Sequence, residues 1–155
     1  MRKHRNYRGS TLLELLVQVS IFGILAAVAI PNMLPLIQKK QINSDLEAIQ
    51  GVVQEIQSFA IRNSSACTLS FTASRVDSSA CQPTVYAQLQ NTSVASSAAT
   101  LNISFQGNVS TSTVLVISHA SNPGLAKRCL VIQSPLAVVR RGTYTGTGTS
   151  AANCN

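Results

Sequence analysis

Glu14 is the residue of this sequence with the most to explain. It is the one carboxylate in the apolar stretch Leu12-Leu13-Glu14-Leu15-Leu16. An acid costs about 2.5–3.5 kcal/mol at the centre of a membrane-length helix and less near its end, so Glu14 there needs a reason. The other chemistry-bearing types are sparse. Beyond Glu14 the acids are Asp45, Glu47, Glu55 and Asp77, and three of these fall on polar faces of a helical pattern. His119, the sole histidine after residue 4, lies in a strand-like run with no acid nearby for a triad. Cys67, Cys81, Cys129 and Cys154 contain no C-x-x-C pair, and no Gly-rich phosphate loop occurs. Catalysis, a metal centre and a cofactor are therefore not expected.

The cysteines suit disulfides instead. Their number is even, and all lie in a polar region behind the apolar stretch, which fits a body outside the cytoplasm. Three pairings are open. Cys67–Cys81 with Cys129–Cys154 is favoured because sequence-local pairs demand the least topology. Basic residues come in pairs: Lys39-Lys40, Lys127-Arg128 and Arg140-Arg141. The net charge of +7 overstates their weight, because Arg2, Lys3, Arg5 and Arg8 supply four charges and the remainder is only +3. The balance does not announce a nucleic-acid binder.

Three elements must position these residues. Residues 1–9 form a short basic leader. Leu12 to Ile30 is almost wholly apolar; its 19 residues would span roughly 29 Å as a helix, about one bilayer core. The basic end would stay cytoplasmic and the rest face outward. Pro31 and Pro35 follow and predict a bend. Beyond them Ile42, Leu46, Ile49, Val53, Ile56 and Ala60 recur at spacings of four and three, one apolar stripe of a helix. The spacing predicts a helix from about Thr11 to about Arg62, apolar all round in its first half and one-sided in its second.

After Asn63-Ser64-Ser65 the period changes to two. Segments 68–72, 84–90, 101–106, 114–118, 128–133 and 137–140 read as short strands. Residues 91–100 read as a Ser/Ala-rich loop, and 142–155 as an irregular tail pinned by Cys154. The expected fold class is α+β, a long N-terminal helix on a small antiparallel sheet. Its segments are a leader at 1–9, a membrane and assembly half-helix at 10–37, and an exported body at 38–155.

The stretch Gly9-Ser10-Thr11-Leu12-Leu13-Glu14, with the apolar run to Ala29-Ile30-Pro31, resembles the type IV prepilin signal of type IV pilins and type II secretion pseudopilins. That pattern has a glycine at the cut, an acid five residues on and a proline near the end of the run; Gly9, Glu14 and Pro31 match. Gly23-Ile24-Leu25-Ala26-Ala27 is similar to the family's commonest run there. The match covers residues 8–37. Ser10 departs from it, standing where Phe or Met is usual. More loosely, Cys129 to Leu136, Val139 to Tyr144, the terminal Cys154 and the passage from Ala48 to Leu69 resemble minor pilins of the GspH/FimT group.

The resemblance implies a structural subunit. A prepilin peptidase would cut after Gly9, leaving an N-methylated amine on Ser10. Glu14 would pair with the N-terminal amine of a neighbouring subunit, and Pro31 would kink the helix. The partners would be other pilins or pseudopilins and an inner-membrane assembly platform. The protein would be single-pass in a bacterial inner membrane, with its C-terminal domain outside, before joining a filament. Two alternatives stand beside this. Some pilins of the group bind DNA through C-terminal basic residues, for which Arg140 and Arg141 are the candidates. Alternatively, Ala27-Val28-Ala29 is a signal-peptide site, and cleavage there would release a soluble domain.

Overall fold

A computed structural model of the protein describes residues 11–79, 81 and 86–155, without the side chains of residues 28–32. Gly9 and Ser10 lie outside the described residues, as does the side chain of Pro31.

The helix α1 runs Leu12–Asn63. Thr11 caps it: its carbonyl and hydroxyl oxygens accept from the backbone N–H groups of Leu15 and Glu14 at 3.2 and 3.3 Å. Helical backbone continues through Pro31 and Pro35. The end is a Schellman motif. Ser64 takes φ +47°, its N–H reaches the carbonyl of Ile61 at 3.5 Å, and the Ser65 N–H reaches that of Ala60 at 3.2 Å. Two compact units divide the chain, one up to Leu36 and one comprising Ile37–Asn155.

The second unit has its own core. The predicted stripe Ile42, Leu46, Ile49, Val53, Ile56 and Ala60 is buried throughout, joined by Val52. It lies against the inner faces of two sheets rather than one. Strands β1 (Cys67–Phe71), β2 (Arg75–Ser79), β3 (Tyr86–Gln88) and β5 (Thr100–Ile103) form the first, in the order β3-β2-β1-β5. Strands β4 (Thr92–Ser96), β6 (Thr113–His119), β7 (Lys127–Gln133) and β8 (Val138–Tyr144) form the second, in the order β4-β6-β7-β8. All the pairings are antiparallel. Period-two burial aims Leu69, Val76, Ala87 and Leu101 of the first sheet, and Val94, Leu115, Ile117, Leu130 and Ile132 of the second, into the shared core.

Residues 91–100 are therefore not a loop but hold β4 and the start of β5. Thr92-Ser93-Val94-Ala95-Ser96 has only two strand formers, Thr92 and Val94. Its conformation is imposed by pairing with the Val/Ile-rich β6 and by burial of Thr92 and Val94. β2 has the same origin: only Val76 is apolar, yet the segment is ordered along β1. β8 runs past residue 140 to Tyr144, and the tail beyond is more regular than expected. A 3-10 turn, Ala151–Asn153, leads into a return along the edge of β8. There the Thr143 N–H donates to Asn155 O at 2.6 Å and the Thr145 N–H to Asn153 O at 2.9 Å. Gly142 is required at this approach, since a Cβ would stand 2.5 Å from Asn155 O.

Two disulfides fasten the body. Cys67–Cys81 closes the β1–β2 hairpin, and Cys129–Cys154 ties β7 to the returning tail. The second lies in a small separate cluster with Val114, Val116, Val131 and Tyr144, on the sheet face away from the helix. The Tyr144 hydroxyl accepts from the Ser150 N–H at 3.1 Å and donates to the Thr147 carbonyl at 3.2 Å.

Candidate functional site

Among the described residues the first unit buries no apolar side chain. Leu12, Leu13, Leu15, Leu16, Val17, Val19, Ile21, Phe22, Ile24 and Leu25 are all exposed, Leu12 at 82% and Phe22 at 71%. Four leucines within five consecutive positions, at about 100° per residue, leave the first turns no polar face except at Glu14. A helix apolar all round must be surrounded by lipid or by other protein. Among the described residues no helix is long and apolar enough to cross a membrane. The apolar run whose side chains are described stops at Ala27, short of the roughly 20 residues a span takes.

Glu14 is the acid of the first helical turn. It sits three residues after the cap Thr11, the spacing of a capping box, where a carboxylate is favoured by the partial positive charge of the helix N-terminus. That local setting lowers the cost of the charge without supplying a counter-ion. Among the described residues no ion pair involves Glu14. Ser20 hides its hydroxyl by donating to the Leu16 carbonyl at 2.8 Å, so it adds little polarity to the surface.

The other candidates are placed as follows. Arg140 and Arg141 are exposed neighbours on β8, so they leave opposite faces of the sheet. Arg141 stands opposite the core residue Leu130 and reaches Glu47 of the helix at 3.8 Å; Arg140 stands opposite Val131, on the far face. The pair is not one patch. Arg141 instead lines a cleft of about 230 Å³ with Arg128, Asn43 and Glu47. Arg128 donates to Asn43 Oδ1 at 3.1 Å and Thr143 Oγ1 at 2.8 Å. His119 is buried at the end of β6, and its Nδ1 has no partner among the described residues. None of the described His, Cys, Asp and Glu residues gather in a group of three that could hold a metal.

Two helix-to-sheet ties carried little signal in the sequence. Gln57 Nε2 donates to the carbonyls of Gly107 and Leu136 at 3.2 and 3.3 Å. Thr92 Oγ1 donates to Asp45 Oδ2 at 2.5 Å. Gln57 and Asp45 both border the apolar stripe, and only the sheets opposite decide which polar residues bond across the seam.

The family pattern described as the prokaryotic N-terminal methylation motif matches residues 4–30. No curated protein matches by sequence. In structure the chain is similar to the type IV minor pilin FimU of Pseudomonas aeruginosa. One crystal form gives a TM-score of 0.53 at 11% identity, covering 73% of this chain and 95% of that one. A second gives 0.52 at 12%, covering 64% and 90%. The chain thus joins an N-terminal methylation motif at residues 4–30 to a fold similar to that of a type IV minor pilin.

Proposed function

We propose that the protein is the precursor of a minor pilin or pseudopilin. It is anchored in a bacterial inner membrane, cut after Gly9 by a prepilin peptidase, and assembled through its half-helix at or near the tip of a type IV pilus or secretion pseudopilus. The observation that carries this reading is the conjunction on one helix of an apolar surface covering every side and a first-turn carboxylate with no ion-pair partner among the described residues. Neighbouring half-helices would cover the surface. The amine created on Ser10 of an adjacent subunit would meet Glu14, in surroundings where an unpaired charge is expensive. A buried ionic contact of this kind sets register in a bundle of otherwise interchangeable apolar helices.

The test is incorporation. Glu14→Ala should abolish or reduce at least tenfold the amount of subunit recovered in sheared filaments, with membrane levels unchanged; Glu14→Gln should fall between. Wild-type incorporation of Glu14→Ala would remove the role given to the carboxylate. Duplex binding through Arg140 and Arg141 is the weaker reading, because the two guanidinium groups leave opposite faces of β8. Release after Ala29 is weaker still, because Ala27-Val28-Ala29 lies inside continuous helix.

A further inference from the structure

Once the leader is set aside, eight basic residues remain, and four gather at one end of the body. Lys39 and Lys40 lie on the first turn of α1 inside the second unit, both exposed. Lys127 and Arg128 open β7. The chain folds these two pairs together. Asn122, in the β6–β7 connection just ahead of Lys127, donates through Nδ2 to Gln38 Oε1 at 3.4 Å. Arg128 bonds Asn43 one turn after Lys39. Lys39 and Lys40 diverge by about 100° around the helix, and Lys127 and Arg128 leave opposite faces of the sheet. The four cations fan around this end rather than pointing into one cleft.

Of the acids only Glu47 comes near, on the wall of the cleft that Arg128 also lines, and its ion pair is with Arg141. Asp45 is hydrogen-bonded to Thr92, Asp77 is paired with Arg75 on the other sheet, and Glu55 lies about four turns beyond Lys40 along the helix. Among the described residues none of the four makes an ion pair, and Arg128 is bonded only to neutral oxygens. The residue just before Gln38 in this unit is the exposed Ile37, and Met33, Leu34 and Leu36 precede it in the chain, also exposed. Basic residues next to a membrane segment on its exported side run against the usual bias of loops, so their concentration here calls for an anionic partner at the level where the apolar run ends.

We propose that Lys39, Lys40, Lys127 and Arg128 form a collar that binds the phosphate headgroups of anionic lipids in the outer leaflet of the inner membrane, holding the body against the bilayer before assembly. The inference rests on the membrane-anchored reading above. Lysines serve as mobile point charges for headgroup phosphates, while the Arg128 guanidinium is already oriented by its two hydrogen bonds.

The test uses the full chain reconstituted in phosphatidylcholine bilayers with added phosphatidylglycerol, and spin-labelled lipids report which headgroup is enriched at the protein boundary. The wild type should select phosphatidylglycerol over phosphatidylcholine about threefold or more at low salt. The ratio should approach one at about 1 M salt, where the Debye length is near 3 Å. Replacing the four residues (Lys39→Gln, Lys40→Gln, Lys127→Gln, Arg128→Gln) should remove most of the selectivity, and the triple lysine variant, which keeps the Arg128 tie to the helix, should remove the larger part of it. Both retain the leader, whose own basic residues contribute equally to every sample. Unchanged selectivity in the triple and quadruple variants overturns the collar. So does loss of the wild-type selectivity on adding duplex DNA at equal phosphate, which would assign the patch to nucleic acid. A chain that fails to enter either bilayer contradicts the anchor itself, an outcome distinct from entry without headgroup selectivity.

Discussion

The two halves of α1 use similar residues to opposite ends. From Leu12 to Leu25 the apolar side chains occupy every direction and stay exposed; from Ile42 to Ala60 they occupy one stripe and are buried. Propensity does not distinguish them, since both halves form helix. The difference lies in the polar residues between. Gln41, Asn43, Ser44, Asp45 and Glu47 give the second half a face for water and confine burial to the side that meets the sheets. Gln18 and Ser20 are too few to do so in the first, and Ser20 turns its hydroxyl back on the helix. One half is complete within its own chain. The other is unfinished until something outside the chain covers it.

This contrast can be broken most forcefully in the body. Ile56→Ala removes a fully buried side chain and should cost about 2–5 kcal/mol. Ile21→Ala, in the exposed half, should change the same unfolding free energy by no more than about 0.5 kcal/mol. Urea unfolding of the two variants in detergent, followed by circular dichroism, decides. Equal losses would mean that the half-helix is part of the body's cooperative unit.

Next in size is the tail clasp. Cys129→Ala with Cys154→Ala should lower stability by about 2–4 kcal/mol and free residues 143–155 to exchange amide hydrogens rapidly, while amides of β1 and β2 stay protected. Uniform loss of protection would show that the small cluster around Tyr144 is not separable from the main core. The smallest effect is expected at the helix end. Ser64 holds the left-handed position that glycine usually fills, so Ser64→Gly should stabilise by about 0.5 kcal/mol. A destabilisation of that size in the same urea assay would show that the Ser64 side chain contributes more than its backbone angle costs.

Much of the fold is legible in the sequence. The apolar run, Glu14, the stripe from Ile42 to Ala60 and the change to period two after Asn63 each rest on local patterns. What escaped was set by distant partners. β4 is a strand because β6 lies beside it, and β2 because β1 does. The division into two sheets depends on which strands pair, and short strands of similar composition do not encode that locally. The divergence of Arg140 and Arg141 follows from strand alternation alone; the sequence placed Arg140 in a strand but ended that strand too early to apply the rule to its neighbour.

The central claim is that the half-helix from Leu12 onward is retained and exposed by processing as an assembly surface. Its most direct test is the N-terminal sequence, by mass spectrometry, of the protein recovered from filaments and from membranes. Cleavage after Gly9 predicts Ser10 as the first residue in filaments and a mixture of Met1 and Ser10 in membranes. Ile30 as the first residue of the exported protein would mean that the half-helix is discarded, and would contradict the assembly role assigned to it and to Glu14.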